Sequence, residues 1–206
     1  MYAHDLHELL DRLKSDPDYV DVSTLPCIAV DLRYATTDNF TGINLYGPFN
    51  LAFLHRFAAN MLATAAASLQ QREPGHRLLV LDATRPPSVQ QKLWDHVAGT
   101  AMQAYIADPA KGSIHNFGLA VDLTIIDADG NELDMGTAYD TFDPLSQPAL
   151  EVKFEIEGRL TGEQIANRKL LRRIMEEAGF IQLPHEWWHY DALSPDVVRE
   201  QYQVIK

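Results

Sequence analysis

The chain has 206 residues, of which 46% are hydrophobic and 22% charged, so it can bury a substantial core, and we expect one domain spanning residues 1–206. Its formal charge of −12 disfavours binding to nucleic-acid phosphates and anionic membranes and favours a small-molecule or protein partner. No apolar run reaches the roughly 18 residues of a membrane span, and the acidic first thirty residues lack the apolar core of a secretory signal. We therefore expect a cytoplasmic protein, or a periplasmic one if a signal peptide has been removed.

Helical periodicity predicts four helices. In chain order they are the opening HDLHELLDRLK, a segment from Leu54 to Leu69, SVQQKLWDHVA with Ser88 and Gln91 at capping-box spacing, and a helix after Thr161. The last is the clearest, because Thr161 and Gln164 form a second capping box and Gly179 stands where a C-terminal cap belongs. Its predicted apolar stripe comprises Ala166, Leu170, Leu171, Ile174, Met175 and Ala178.

Segments rich in β-branched and aromatic residues predict four strands, at 27–34, 77–83, 119–126 and 180–190. The string DADGN after residue 126 predicts a hairpin turn, and its glycine falls at the wrong position for a calcium-binding EF-hand loop. Strands and helices alternate too irregularly for a doubly wound sheet. We therefore predict an α+β fold with a mainly antiparallel central sheet flanked by helices.

The stretch SIHNFGLAVDL, residues 113–123, is a first candidate for chemistry. On a strand through it, Ala120, Asp122 and Thr124 share one face, which is small and polar and leaves space beside the carboxylate. A histidine from the adjoining loop, His115, could meet Asp122 there. The alternative is that both are ordinary surface or core residues without a joint role.

The second candidate is PHEWWHY, residues 184–190, in which titratable groups lie among large aromatics. Residues three apart on a regular strand face opposite ways, so Glu186 and His189 can share one site only if the chain bends between them. Two histidines and one carboxylate form a catalytic zinc set with an open fourth position, here His115, Asp122 and His189. Glu186 would then lie beside that position as general base, unless it is simply a solvated carboxylate.

These motifs resemble a known family. SIHNFGLAVD resembles S-x-H-x-x-G-x-A-x-D, and EWWH resembles E-x-x-H, of the zinc D,D-peptidases, which include dipeptidases, D,D-carboxypeptidases and the hedgehog domain. The segments 31–42, 81–91, 122–140 and 167–180 resemble the dipeptidase branch in the same order. The resemblance implies a D,D-peptidase-like fold, one Zn²⁺ per chain held by His115, Asp122 and His189, and Glu186 as acid and base.

The same resemblance implies further roles. Arg85 in TRP would stabilise the oxyanion, and Asp82 would hold Arg85 in place. Tyr34 and Asp140 would bind the ammonium end of a dipeptide, and Ser113 and Tyr46 its carboxylate end. Two alternatives stay open beside hydrolysis of free D-Ala-D-Ala: a carboxypeptidase acting on peptidoglycan stem peptides, and a hedgehog-like module that binds zinc without catalysis.

Overall fold

A five-stranded sheet forms the centre of the computed structural model, which describes the backbone of residues 2–205 and the side chains of residues 6–205. The strands are β1 (Tyr19–Asp21), β2 (Ile28–Val30), β3 (Phe53–His55), β4 (Arg77–Asp82), β5 (Ala120–Ile126), β6 (Ile181–Gln182) and β7 (His189–Asp191). The helices are α1 (Tyr2–Ser15), α2 (Arg56–Arg72), α3 (Pro87–Val97), α4 (Glu151–Ile156), α5 (Gly162–Glu177) and α6 (Pro195–Gln201).

The central sheet has the order β2-β4-β5-β7-β6, while β1 and β3 pair separately. Only β2 and β4 run parallel within the described part of this sheet, and its other three pairings are antiparallel. The α+β prediction with a mainly antiparallel sheet is therefore confirmed. The DADGN turn is confirmed too, since the N–H of Asp127 donates to the carbonyl of Asn131 and Ile126 bridges to Glu132.

Helix α2 packs against β4 and against α5, and together they bury the long apolar side chains beside the sheet. The capping box of α5 is confirmed, because Thr161 Oγ1 accepts from the N–H of Gln164 and Gln164 Oε1 accepts from the N–H of Thr161. The predicted stripe of α5 needs a correction. Its buried side chains are Ile165, Arg168, Leu171, Ile174 and Met175. Ala166 of the predicted stripe is exposed, while Arg168, a charged residue, faces the interior.

Two predicted helix starts are wrong. Leu54 belongs to β3, where it pairs with Val20, and α2 begins two residues later with His55 Nδ1 accepting from the N–H of Phe57. Helix α3 begins at Pro87, so Ser88 lies inside the first turn and does not cap it. Proline at the first helical position supplies a φ angle suited to a helix start and lacks only an N–H that would have no helical partner.

Two predicted strands are shorter than expected. Residue Cys27 is half-buried with a φ of 60°, so β2 begins only at Ile28 and ends before a helical turn at Arg33–Ala35. The predicted strand over 180–190 is interrupted, because residues 183–188 leave the sheet between β6 and β7. No helix among residues 2–205 combines the length and the apolarity needed to cross a membrane.

Gly118 turns the chain from the 114–117 helical turn into β5 with a φ of 66°. A Cβ there would lie 2.9 Å from Tyr19 Cε1 and 3.1 Å from the backbone nitrogen of His55. Gly158 has a similar φ of 69°, but a Cβ at that position would have no neighbouring atom within 4 Å. A substitution at Gly158 therefore measures only the cost of a left-handed backbone, without any steric clash. The two glycines thus form a matched pair.

We expect Gly118→Ala to lower the free energy of unfolding by clearly more than Gly158→Ala, whose cost is the left-handed backbone term of about 1–2 kcal/mol. The added loss at Gly118 comes from displacing β1 and β3. Urea titrations of both variants at fixed zinc concentration measure it. Equal losses in the two variants would show that the space around Gly118 is not restrictive.

Candidate metal centre and cleft

Three of the candidate residues form a row across three adjacent strands. Asp82 at the end of β4 is in register with Asp122 on β5, and Asp122 is in register with His189 on β7. Directly opposed residues on neighbouring strands point to the same face of a sheet. Strand pairing alone therefore brings together residues that lie 40 and 67 positions apart along the chain.

The fourth member, His115, comes from the helical turn Ile114–Phe117 that precedes β5. Its Nδ1 lies 2.7 Å from the carbonyl oxygen of Ala83 and must donate to it, since a carbonyl only accepts. The turn is tied to the end of β4 by two more bonds, from the N–H of Arg85 to the His115 carbonyl and from Asn116 Nδ2 to the Arg85 carbonyl. The lone pair of His115 Nε2 therefore faces the row.

His189 is oriented in the same manner by a residue that the sequence analysis missed. Its Nε2 lies 2.9 Å from Asp191 Oδ1, and its Nδ1 lies 2.9 Å from Asp122 Oδ1. A carboxylate bound to Nε2 fixes the tautomer that presents the Nδ1 lone pair to a metal. The sequence HYD could have identified Asp191, because residues two apart on a strand share a face, which places Asp191 on the same side as His189.

The three donor atoms converge. His115 Nε2, His189 Nδ1 and Asp122 Oδ1 lie 2.9–3.2 Å from one another, and all three side chains are buried. Ligands about 2.0–2.2 Å from a tetrahedral ion are about 3.3 Å apart, so the cluster fits such an ion with little movement. The donor set of two imidazoles and one carboxylate is also that of catalytic zinc sites.

The electrostatics of the cluster favour a cation. Burial alone would raise the pKa of Asp122, but His115 and His189 hold it well below its ordinary value. Burial lowers the pKa of His189, yet the carboxylates of Asp191 and Asp122 outweigh that effect and raise it well above its ordinary value. The site thus keeps an ionised carboxylate in the interior and attracts positive charge to the point where the donors meet.

Arg85 lies beside the cluster on the turn after β4. Its Nε donates to Asp82 Oδ2 at 2.9 Å, its Nη1 to Gln90 Oε1 at 3.1 Å, and its Nη2 to Asp122 Oδ2 at 3.4 Å. Its guanidinium also lies 5.2 Å from the centre of the Tyr34 ring. Arg85 therefore has a fixed orientation, and the sequence had no local feature that would identify Gln90 as one of its partners.

Glu186 lies in the segment that leaves the sheet. Its N–H donates to the carbonyl of Leu183, while the N–H of Leu123 on β5 pairs with the Trp188 carbonyl. The backbone then bends at residues 187 and 188, between Glu186 and His189, and both side chains line the same cavity. Burial raises the pKa of Glu186 to about 7, with Asp122 adding to the rise and His189 opposing it.

A cavity of about 240 Å³ opens over the cluster and brings most of the predicted site residues together. Those on its walls are Tyr34, Arg85, Ser113, His115, Asp122, Asp140, Glu186 and His189. Tyr46 is not brought to this cavity: it is fully buried behind Asp82, whose Oδ1 accepts from the Tyr46 hydroxyl at 2.6 Å. His185 lines the mouth of the cavity, with its ring 6.4 Å from that of Tyr105.

Asp140 has the least satisfied side chain on the cavity wall. It adopts a φ of 58°, and its Oδ2 is buried without a hydrogen-bond partner. Burial and the nearby charge of Asp122 raise its pKa well above the ordinary value, while a hydrogen bond from Tyr34 opposes the rise. A cationic group in the cavity would relieve this carboxylate, which makes Asp140 a candidate ligand for an ammonium.

Comparison with known proteins gives one consistent family. Residues 17–206 match the peptidase M15 family model, described as D-ala-D-ala dipeptidase. The chain is 32% identical to the D-alanyl-D-alanine dipeptidase of Escherichia coli (strain K12) over 90% of this chain and 91% of that protein. It is 30% identical to the dipeptidase of the same name from Enterococcus faecalis (strain V583), over 80% of this chain and 85% of the relative.

Replacing Asp191 should weaken metal binding without unfolding the protein. Loss of an outer partner of a ligating histidine typically costs about 10–100-fold in metal affinity, which is what we expect for Asp191→Ala. Asp191→Asn keeps an oxygen that accepts from His189 Nε2 and should lose less. Competition with a chromophoric zinc chelator gives the dissociation constants.

The exposed Asp196 at the start of α6 offers a control for the loss of one negative charge. Asp196→Ala should bind zinc as the unmodified protein does. An unchanged zinc affinity in Asp191→Ala would refute the orienting role.

Proposed function

The chain belongs to the D-Ala-D-Ala dipeptidase family of metallopeptidases, and we propose that it hydrolyses free D-Ala-D-Ala to two D-alanines with one zinc ion per chain. The observation that carries this proposal is the convergence of two imidazoles and a carboxylate beside Glu186 and Arg85 in one small cavity. The preference for D residues rests on family membership, and the cytoplasmic location stays a prediction. We further propose that residues 1–206 act as one zinc dipeptidase domain.

His115, Asp122 and His189 would hold the ion through Nε2, Oδ1 and Nδ1. When bound, zinc lowers the pKa of an adjacent water from 15.7 to about 7 and polarises a carbonyl oxygen. With only three ligands from the protein, an ion held there would keep an open position for water or substrate. That opening is the feature that separates a catalytic from a structural zinc site.

Glu186 is the proposed acid and base. A carboxyl group with a pKa of about 7 can accept a proton from the attacking water and return it to the nitrogen of the departing amine. Arg85 is the proposed oxyanion donor. Asp82 and Gln90 hold its guanidinium in place before substrate arrives, and removing such an aimed donor typically costs about 3–4 kcal/mol of transition-state stabilisation.

The dipeptide is a small zwitterion that needs opposite charges at its two ends. Asp140 and Tyr34 would take the ammonium end, and Ser113 the carboxylate end, where Arg199 adds a guanidinium to the cavity wall. Tyr46 is better suited to hold Asp82 than to contact the substrate. The cavity of about 240 Å³ is large enough for a small dipeptide.

We expect the zinc-loaded protein to hydrolyse D-Ala-D-Ala and to leave L-Ala-L-Ala and a peptidoglycan stem pentapeptide largely intact. Release of D-alanine, followed with D-amino acid oxidase, and mass spectrometry of the peptides measure this. Preferential cleavage of the stem would favour the carboxypeptidase alternative. Stoichiometric zinc binding with no cleavage of any of the three would favour the non-catalytic module.

Glu186→Gln should lower kcat/KM for D-Ala-D-Ala by about a hundred- to ten-thousandfold, because an amide cannot carry the proton. Zinc affinity should stay unchanged, since Glu186 is not among the converging donors. Glu155→Gln, at an exposed position on α4, serves as the control and should retain full activity. Full turnover by zinc-loaded Glu186→Gln would show that another group acts as the base.

A further inference from the structure

A buried arginine outside the proposed chemistry links two parts of the cavity wall. Arg168 on α5 is only 1% exposed. Its Nε donates to the carbonyl of Met135 at 2.6 Å, and its Nη1 donates to the carbonyl of Leu145 at 3.0 Å. One guanidinium thus binds both ends of the segment 135–146, which we call the acid loop.

The acid loop supplies three residues to the site. Tyr139 donates from its hydroxyl to Asp122 Oδ2 at 3.0 Å, while Asp140 and Phe142 line the cavity. Asp140 has a left-handed backbone, which costs a non-glycine residue free energy and persists only when the surrounding structure holds it. Within the loop, Ser146 Oγ donates to the Thr141 carbonyl at 2.8 Å and lies 3.2 Å from Thr137 Oγ1.

The same arginine contacts the segment that carries Glu186. The ring of Trp187, the residue after Glu186, lies 6.0 Å from the Arg168 guanidinium. Its Nε1 donates to Thr137 Oγ1 in the acid loop at 2.8 Å, and its carbonyl accepts from Gln182 Nε2 at 3.0 Å. Trp187 is therefore held on one side by the acid loop and on the other by β6.

We propose that Arg168 is a positioning residue which, through the acid loop and Trp187, sets the Asp140 carboxylate in place relative to Glu186. The planar guanidinium suits this role because its donors are fixed in a fork and can bind two carbonyls at once, whereas a lysine ammonium is a point charge on a flexible stem. The part played by Asp140 rests on the proposed function, in which that carboxylate receives the substrate ammonium. The bracing of the acid loop itself does not depend on the substrate.

Arg168→Met should raise KM for D-Ala-D-Ala by about tenfold, the scale of one charged hydrogen bond, while changing kcat less. The probe for Asp140 is N-propionyl-D-alanine, a dipeptide analogue in which hydrogen replaces the amino group. In Arg168→Met, the inhibition constant of this analogue and the affinity for zinc should stay as they are in the unmodified protein. Arg168→Lys should give an intermediate KM, and Arg173→Met on the exposed side of α5 serves as the control.

A rise in KM together with an equal weakening of the analogue, or no rise at all, would overturn the proposal. The first result would mean general damage to the cavity, and the second would mean that Arg168 does not act on Asp140. Zinc-loaded protein is used throughout, so that a loss of metal cannot imitate either result.

Two milder variants address the possibility that Arg168→Met does not fold. Thr137→Val and Trp187→Phe each remove one partner of the same hydrogen bond; Thr137→Val keeps the side-chain size but also removes the contact with Ser146 Oγ, and Trp187→Phe also shortens a buried ring. Their effects on KM should be less than additive in the double variant, because the hydrogen bond that both changes remove is lost only once. Additive effects would show that the bond does not couple the two segments.

Hydrogen exchange separates this proposal from the proposed function, since it needs no substrate. In the zinc-loaded protein, Thr137→Val should accelerate amide exchange in the acid loop and leave β5 unchanged. Unaltered exchange in the acid loop would overturn the brace even if the dipeptide is cleaved. Faster exchange in a protein that does not cleave the dipeptide would support the brace and refute the substrate assignment alone.

Discussion

Two carboxylates buried face to face, Asp82 and Asp122, are the constraint on which the site depends. They lie directly opposite each other on β4 and β5, with exposures of 0% and 2%. Like charges opposed across a ladder repel each other, and burial removes the water that would screen them. Arg85 resolves this conflict, with its Nη2 2.8 Å from Asp82 and 3.4 Å from Asp122, so the turn after β4 must return the arginine to the sheet.

The pairing with Arg85 also determines which hydrogen-bond partners each oxygen of Asp82 and Asp122 has. Asp82 uses Oδ1 for the Tyr46 hydroxyl and Oδ2 for Arg85, while Asp122 uses Oδ2 for Arg85 and Tyr139. Asp122 Oδ1 is thereby left to face the imidazoles. Among the described residues, the buried carboxylate oxygen with no such partner is Asp140 Oδ2, which is why a cationic ligand has one evident place to bind.

Local rules are sufficient to predict the first half of this site. Strand β5 is regular, so alternation predicts that Asp122 lies apart from the apolar face, and Gly118 marks the turn that precedes it. Alternation cannot place Glu186 and His189 together, because the backbone bends at residues 187 and 188, where the N–H of Leu183 donates to the His189 carbonyl and the N–H of Leu123 to the Trp188 carbonyl. The family motif implies their partnership, but the bend comes only from tertiary contacts.

Other features depend on partners distant in the sequence. Tyr46 has the chemistry of a substrate ligand, yet it is fully buried and its hydroxyl donates to Asp82, a residue 36 positions away in the sequence. Helical periodicity counts arginine as outward-facing, so it places Arg168 among the solvated charges of an amphipathic helix. The carbonyls that bind Arg168 belong to a loop more than twenty residues upstream, which no window of helical length includes.

The charge of the cavity wall affects the binding of both a metal ion and a charged ligand. Four acidic side chains, those of Asp122, Asp140, Glu186 and Asp191, face two guanidinium groups, those of Arg85 and Arg199, and the raised pKa values of Asp140 and Glu186 show that the wall disfavours further negative charge. Metal binding requires neutral imidazoles, so a divalent ion would add two positive charges to a wall that has more acids than guanidinium groups, and it would favour the ionised forms of those acids. On the proposed function, an ammonium group of the substrate would compensate Asp140, so charge complementarity would favour a free dipeptide before any contact with a side-chain methyl group contributes.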